Sequence, residues 1–92
     1  MTFKVSQVTK DGRNLLIAGT LPSPAWQLHG PQVSTTESSI DVAYTTEKRD
    51  GFWPQSIKNI RESVDLSNFG SGPVRYRIRA DGQLIADGHL DL

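Results

Sequence analysis

Residues 73–92 read Pro73-Val74-Arg75-Tyr76-Arg77-Ile78-Arg79-Ala80, then Asp81-Gly82, then Gln83-Leu84-Ile85-Ala86-Asp87-Gly88-His89-Leu90-Asp91-Leu92. In the first half, apolar side chains alternate with three arginines, which is the period-two pattern of a strand with one buried and one solvated face. The second half alternates as well. The stretch predicts a β-hairpin, and because an isolated hairpin is marginal in water, the rest of the chain must supply a second layer.

The register of this hairpin depends on keeping its apolar residues on one face. Asp81-Gly82 matches a two-residue type I′ turn, but that turn alone would set Ile78 opposite Ile85 and mix the two faces. A three-residue loop would pair Ile78 with Leu84. Because a one-residue slip moves every side chain to the other face, we expect this odd-length loop or else a compensating bulge near Gly88.

Length and composition restrict the class of protein. The chain has 92 residues, of which 36% are hydrophobic, with 10 Lys plus Arg against 10 Asp plus Glu and no Cys. That length predicts one domain, residues 1–92, and the zero net charge gives no electrostatic reason to expect a nucleic-acid partner. Without cysteine there is neither a disulfide nor thiolate chemistry.

Membrane and export signals are not visible in the sequence. No apolar run approaches the roughly 18 residues needed to cross a bilayer, so we expect no transmembrane segment. No signal peptide is visible at Met1. If the natural protein is exported, we therefore expect this chain to be its mature form.

Short apolar segments separated by turn signals predict seven strands. Five precede the hairpin: residues 2–8, an edge strand with an irregularity; 15–21, a central strand; 32–36; 39–46; and 61–66. We expect connections at residues 25–30 and 47–54. This spacing is typical of an all-β, antiparallel sandwich of immunoglobulin or fibronectin type, and a small closed β-barrel is the alternative.

The segment before the hairpin adds weight to the sandwich. Leu66, then Gly70-x-Gly72, then Tyr76 looks like the E–F corner of immunoglobulin-type folds. In that corner the tyrosine hydroxyl bonds back to the main chain a few residues upstream. We expect the same of Tyr76.

Three segments carry a resemblance to a known family. Residues 19–25 read Gly-Thr-Leu-Pro-Ser-Pro-Ala, residues 60–66 read Ile-Arg-Glu-Ser-Val-Asp-Leu, and residues 72–76 lead into the hairpin. Together they resemble an immunoglobulin-like domain of bacterial envelope lipoproteins that carries a G-x-L-P-x-P-C motif. The resemblance covers residues 15–82, and the family has no assigned activity. It implies a periplasmic or cell-envelope location; if the resemblance does not hold, we expect a cytoplasmic protein.

The chain departs from that pattern at both cysteine positions. Ala25 stands at the first and Trp53 at the second. The resemblance therefore implies that a buried indole packed against a small residue replaces a disulfide, and we expect Trp53 to contact Ala25 or Trp26. The departure weakens the inference of an oxidising compartment.

Two surface features are candidate ligand-binding sites. The arginine stripe Arg75, Arg77 and Arg79 would bind an anionic ligand, or it is a solvated strand face paired across the sheet to carboxylates such as Asp87. The aromatic set Trp26, Phe52 and Trp53 would stack on sugars, or it forms a small core at one end of the sandwich.

Metal and catalytic sites find no support in the sequence. His29 and His89 are the only histidines, and nothing places them together, so neither a metal nor another cofactor is expected. Asp87 and His89 are two residues apart on one strand. This spacing puts both on the solvated face, which explains the pair better than a catalytic role does. No serine lies in a G-x-S-x-G elbow and no Gly-rich phosphate loop precedes a helix.

The sequence thus favours a non-enzymatic binding or structural module of the bacterial envelope. It would engage a protein or a glycan through loops at one end or through a sheet edge. A homo-oligomeric structural protein assembled by edge-strand pairing of the first and last strands is the alternative, and a small hydrolase is disfavoured.

Overall fold

The seven predicted strands are present, and the first five are longer than expected. The structure, a computed structural model, describes residues 2–70 and 72–92; Met1, and Ser71 within the Gly70-x-Gly72 motif, lie outside this range. The strands are β1 Lys4–Asp11, β2 Asn14–Leu21, β3 Trp26–Thr35, β4 Ser39–Lys48, β5 Lys58–Asp65, β6 Pro73–Ala80 and β7 Gln83–Asp91.

The strands form two sheets, and the prediction of an all-β sandwich is confirmed. One sheet has the order β1-β2-β5 and the other has the order β3-β4-β6-β7. The sheets do not close into a barrel, so that alternative is wrong. The domain is elongated, with principal extents of 46 × 22 × 18 Å.

The position of β4 differs from the expected wholly antiparallel arrangement. In constant-type immunoglobulin sandwiches the fourth strand joins the first, second and fifth, whereas here β4 lies between β3 and β6 and runs parallel to β6. The burial of Ile40, Val42 and Tyr44 on β4, at 0%, 0% and 2% exposed, explains why β4 takes an inner position. The mostly exposed and polar β3 is left at the edge.

The core lies between the sheets, and its buried strand side chains come from β2, β4, β5 and β6. Leu15, Ile17 and Leu21 of β2 are buried, as the alternation of residues 14–21 requires. Phe3, just before β1, meets the ring of Tyr44 edge-on, with centroids 5.7 Å apart. Such edge-to-face pairs stabilise beyond their buried area.

The predicted positions of the first two strands are confirmed. β1 is an edge strand and β2 is central in its sheet. The expected irregularity in β1 is a bulge at Ser6, because Val5 pairs with Gly19 and Gln7 already pairs with Ala18.

In the final hairpin, a bulge rather than a three-residue loop keeps the apolar residues on one face. Asp81 and Gly82 both have positive φ, 51° and 82°, so the turn is the two-residue type I′. Ile85 is the extra residue, since Arg79 pairs with Leu84 and Ile78 with Ala86. The expected Ile78–Leu84 pair is wrong, and the bulge lies at Ile85 instead of near Gly88.

Three boundaries were also misjudged. Residues 26–30, expected as a connection, begin β3, and β4 continues through Lys48. β5 begins at Lys58 rather than at Arg61. The added residues mix polar side chains with the partly buried Trp26, Leu28 and Ile60, so they show no clean alternation that would mark them as strand.

Tyr76 lies against β7, and the expected bond of its hydroxyl to the upstream main chain stays a prediction. Its ring stands over Gly88 of β7, where an added Cβ would come within 2.5 Å of the hydroxyl oxygen. Gly88 therefore makes room for the tyrosine ring between adjacent strands. The connection before β6 is held by Arg13, whose guanidinium donates to the carbonyls of Leu66 and Phe69.

Candidate functional site

The loops at residues 22–25 and 49–57 lie together at one end of the sandwich, which we call the loop end. Arg49 connects them. Its backbone N–H donates to the carbonyl of Ala25 at 2.8 Å, and its guanidinium donates to the carbonyl of Pro24 at 2.6 Å. The longer loop is therefore fastened to the shorter one at its first residue.

Trp53 packs on this anchor rather than in the core. The centre of its ring lies 4.1 Å from the guanidinium carbon of Arg49, and its indole N–H donates to the carbonyl of Asp50 at 3.2 Å. The side chain is only half-buried. The prediction of a buried core indole is wrong, because the cation of Arg49 provides a stacking partner at the surface.

The expected contact of Trp53 with Ala25 or Trp26 stays a prediction. All three residues line one cavity of about 250 Å³ at the loop end. Ala25 is 2% exposed and forms its floor. Ala25 and Trp53, which stand at the two cysteine positions of the family pattern, thus line the same cavity.

The three candidate aromatic residues have three different environments. Trp26 packs partly against the hydrophobic core, Trp53 stacks on Arg49, and Phe52 is fully exposed at 107%. Phe52 is thus a large apolar side chain in solvent, and its neighbour Trp53 is held in place by stacking on Arg49. Ile57, later in the same loop, is 68% exposed.

The arginine stripe lies on the outer face of the four-stranded sheet between two carboxylates. Arg75 is 3.6 Å from Asp87 of β7, and Arg79 is 3.8 Å from Asp41 of β4. Arg77 is opposite both of these aspartates in the register. The stripe is therefore compensated on both sides, and exposed pairs of this kind contribute about 0–1 kcal/mol each.

Asp41 was missed as a partner of the stripe. Sequence reasoning placed Asp87 beside the arginines, because the final hairpin could be aligned. The pairing of β4 with β6 is not a hairpin, and no local turn signal predicts it. The alternation of Asp41 with buried Ile40 and Val42 was the signal that it faced outward.

A second candidate site lies between the edge strands β3 and β5, and we call it the β3–β5 cleft. It has a volume of about 410 Å³. Leu28 and Ile60 contribute apolar surface, and the polar lining residues are Gln27, His29, Lys58, Asn59, Arg61 and Glu62. The ammonium of Lys58 donates to the carbonyl of Trp26 at 3.4 Å, which marks where the cleft meets the loop end.

A buried phenol lies in the hydrophobic core. Tyr44 is 2% exposed, and its hydroxyl has no hydrogen-bond partner among the described residues. Burial and, secondarily, the negative charge of Glu62 raise the pKa of the Tyr44 hydroxyl well above its ordinary range. The phenol is therefore neutral and structural, and its edge-on packing against Phe3 accounts for its position.

The two histidines are far apart in the fold. His29 lies on β3 and His89 on β7, the two outer strands of the four-stranded sheet. The Nε2 atom of His29 is 2.9 Å from a carboxylate oxygen of Glu47, and His89 is opposite Arg75. Within residues 2–70 and 72–92, no group of three side chains is suited to hold a metal ion.

Comparison with known proteins adds no relative. No family model, no curated protein and no solved structure matches this chain. Among the described residues, no helix has the length and apolar character needed to span a membrane.

Proposed function

We propose that this chain is a non-enzymatic binding module that engages a protein or a glycan through its loop end. One observation carries the proposal. Phe52 is 107% exposed, and it directly precedes Trp53, whose ring stacks on the anchored Arg49. Isolated exposed apolar residues are common, but a Phe beside an anchored Trp supplies a rigid aromatic contact of the kind that dominates binding interfaces.

The anchoring contacts support this proposal because they reduce the cost of binding. A loop that is already ordered loses less conformational entropy when a ligand binds. Arg49 holds loop residues 49–57 to residues 22–25 by two hydrogen bonds and holds the indole of Trp53 by stacking. The apolar surface would therefore be presented in one orientation.

The location in a bacterial envelope is part of the proposal and rests on the family resemblance. The physical counterpart of the missing disulfide would be the fastening of the two loops by Arg49. In this protein the link depends on hydrogen bonds and stacking, so it would hold in either redox compartment. Fractionation of the source cells, with detection of the full-length protein, tests the location separately from binding.

Amide NMR of the labelled domain tests the binding function. We would titrate wild type and Phe52→Ser with peptidoglycan fragments, neutral oligosaccharides and a sulfated polyanion. The proposal expects shifts clustered on residues 49–57 for one ligand class, and their loss in Phe52→Ser with an otherwise unchanged spectrum. Shifts confined to residues 75–79 would contradict it and would favour the arginine stripe.

A protein partner is tested by capture with the same pair of variants. If none of the three glycan probes shifts the spectrum, the proposal requires a protein that is captured by wild type and lost with Phe52→Ser. Identical capture by both variants, together with silent titrations, would overturn the loop end as the binding surface.

A further inference from the structure

The four edge strands differ in how regular they are. β1 is interrupted by a bulge at Ser6, β3 by a register shift at residues 30–31, and β7 by the extra residue Ile85. Bulges on edge strands hinder the addition of a further strand. β5 pairs with β2 from Lys58 to Asp65 without any shift, so it is the one regular edge in the described chain.

The backbone of β5 presents hydrogen-bonding groups to its free side at known positions. The N–H of Leu66 donates to the carbonyl of Arg13 at 2.8 Å, which continues the β2–β5 register by one pair. In an antiparallel pair, bonded and non-bonded positions alternate. The N–H and C=O groups of Asn59, Arg61 and Ser63 therefore point away from β2.

The core-facing side chains at this edge are Lys58, Ile60 and Glu62. They lie opposite Leu21, Gly19 and Ile17 of β2, whose side chains, where present, point into the core. Charges that point inward on an edge strand normally disfavour pairing. This set, however, is positive, apolar and negative in order, so an antiparallel copy aligned on Ile60 complements it.

We propose that β5 pairs antiparallel with β5 of a second copy of this chain, centred on Ile60. Each Lys58 then lies opposite Glu62 of the other copy. In this register Asn59 and Arg61 form the hydrogen-bonded pairs, because their backbone groups point outward. The Lys58–Glu62 and Ile60–Ile60 pairs fall at non-bonded positions, where side chains approach more closely.

The neighbouring in-phase registers are less favourable. Centring on Arg61 or on Glu62 sets each of these side chains opposite its own copy, so like charges meet directly across the strands. Centring on Ser63 brings Arg61 opposite Asp65, but it sets the Glu62 carboxylate opposite Val64 and leaves Lys58 opposite Asn68, beyond the end of β5. Only the Ile60-centred register pairs both of the inward charges, Lys58 and Glu62.

The pairing would also cover apolar surface that is now exposed. The β3–β5 cleft opens on this side of the domain, and the second copy would bring its own Ile60 over the half-buried Leu28 and Ile60. Ile57, which is 68% exposed, would come opposite Ser63 of the second copy. Lys58 has three donors, so it can meet Glu62 while keeping its bond to Trp26.

Sedimentation and light scattering of the full chain test this proposal by charge reversal. Wild type is expected to shift with concentration from the monomer mass of 10.2 kDa to twice that value. Lys58→Glu and Glu62→Lys alone are each expected to remain monomeric, because like charges then meet. An equimolar mixture of the two variants restores complementarity and is expected to form a heterodimer.

Three controls separate pairing from damage to the fold. The double exchange Lys58→Glu with Glu62→Lys is expected to recover the wild-type dimer, while Lys4→Glu, an exposed charge on β1, leaves association unchanged. Added salt is expected to weaken the wild-type dimer, since it screens the charge pairs. Lys58→Glu gives an independent result if Glu62→Lys fails to fold by circular dichroism.

Two outcomes would overturn the proposal. A wild-type chain that stays at the monomer mass up to the solubility limit excludes self-pairing, and the edge would then be open to a strand from another protein. A dimer that none of the charge reversals affects excludes β5 as its interface. Neither outcome bears on the loop end, which is tested by Phe52→Ser and ligand titration.

Discussion

The two long sides of the sandwich are built differently, although each is made of two edge strands. On one side β1 lies beside β7, and the ammonium of Lys10 bridges them by donating to the carbonyl of Asp91 at 2.6 Å. On the other side β3 and β5 are separated by a cleft of about 410 Å³. We call these the closed side and the open side.

The difference shows which edges the sequence protects. Both strands of the closed side carry a bulge, at Ser6 and at Ile85, and Phe3 fills the space before β1. On the open side β5 is regular, and its inward side chains alternate charge with Ile60. Stability should therefore depend mainly on the closed side, and association on the open side.

The largest effect is expected from Phe3→Ala on the closed side. Phe3 is 0% exposed and packs edge-on against Tyr44, so its truncation should lower the free energy of unfolding by about 3–5 kcal/mol. Chemical denaturation measures the change. Phe52→Ala is the matched control, and a comparable loss there would contradict the distinction between core and loop end.

A smaller loss is expected from Gly19→Ala. An added Cβ would clash with the backbone carbonyl of Lys4 and would lie 2.7 Å from Cε1 of Phe3. Because a backbone atom cannot rotate away, overpacking should cost about 1–3 kcal/mol. Gly70→Ala, where nothing lies within 4 Å, is the control, and equal melting temperatures for both variants would refute the close approach.

On the open side, Leu28→Ala should be milder than a core truncation. Leu28 is half-buried at the cleft, so removing its side chain should cost about 1–2 kcal/mol by lost apolar burial. Leu15→Ala, at a position 0% exposed, should cost more, about 2–5 kcal/mol. Equal losses for Leu28→Ala and Leu15→Ala would contradict this prediction, because they would mean that the open side is packed as tightly as the core.

At the loop end, Trp53→Ala should cost about 1 kcal/mol, the scale of an exposed cation–π pair. Trp53→Phe keeps a ring over Arg49 and should recover part of the loss. Denaturation curves of both variants give the comparison. A loss as large as that of Phe3→Ala would mean that the indole is a core side chain after all.

The smallest effect concerns the turn of the final hairpin. The Thr46 hydroxyl and backbone N–H donate to the Asp81 carboxylate and hold its pKa below the ordinary value of 3.8. Because the pKa of Asp81 is lower in the folded state, its carboxylate stabilises the fold at pH values above the pKa of the unfolded state. This contribution is lost as the pH falls through the pKa of the folded state.

Asp81→Asn should therefore be slightly less stable than wild type at neutral pH and should lose less stability on acidification. Asn tolerates the positive φ of 51° at this position. Urea denaturation at a series of pH values measures both. Parallel pH profiles for the two proteins would show that the hydrogen bonds from Thr46 do not favour the charged form.

The parts of the fold predicted from sequence are those with local signals. The alternation in residues 73–80 predicted β6 and its buried face, and the dense apolar cluster from Leu15 to Ile17 predicted a central β2. The position of β4 was not predicted, because β4 pairs with β6 across a long crossover and no turn between them restricts the choice. The bulge position in β7 failed similarly, since Ala86, Gly88 and Leu90 fit several registers.

The candidate surfaces were predicted less well than the fold. The outward direction of the three arginines followed from parity, but their second carboxylate, Asp41, comes from a non-local pairing. Phe52 and Trp53 are adjacent in sequence, and no pattern distinguishes the exposed ring from the one that stacks on Arg49. The edge formed by Lys58, Ile60 and Glu62 could not be recognised without knowing that β5 lies at the margin of its sheet.

The parallel pairing of β4 with β6 has a consequence for the order in which the protein folds. β1–β2, β3–β4 and β6–β7 are hairpins between consecutive strands, whereas β4–β6 and β2–β5 join distant parts of the chain, with Ser39 opposite Arg75 and Asn14 opposite Asp65. Such non-local pairs slow folding, because loop closure must precede the contacts that reward it. We expect the three hairpins to form early and the docking of β4 against β6 to limit the rate, so that truncations at Val42 or Ile78 slow folding more than truncations near the turns.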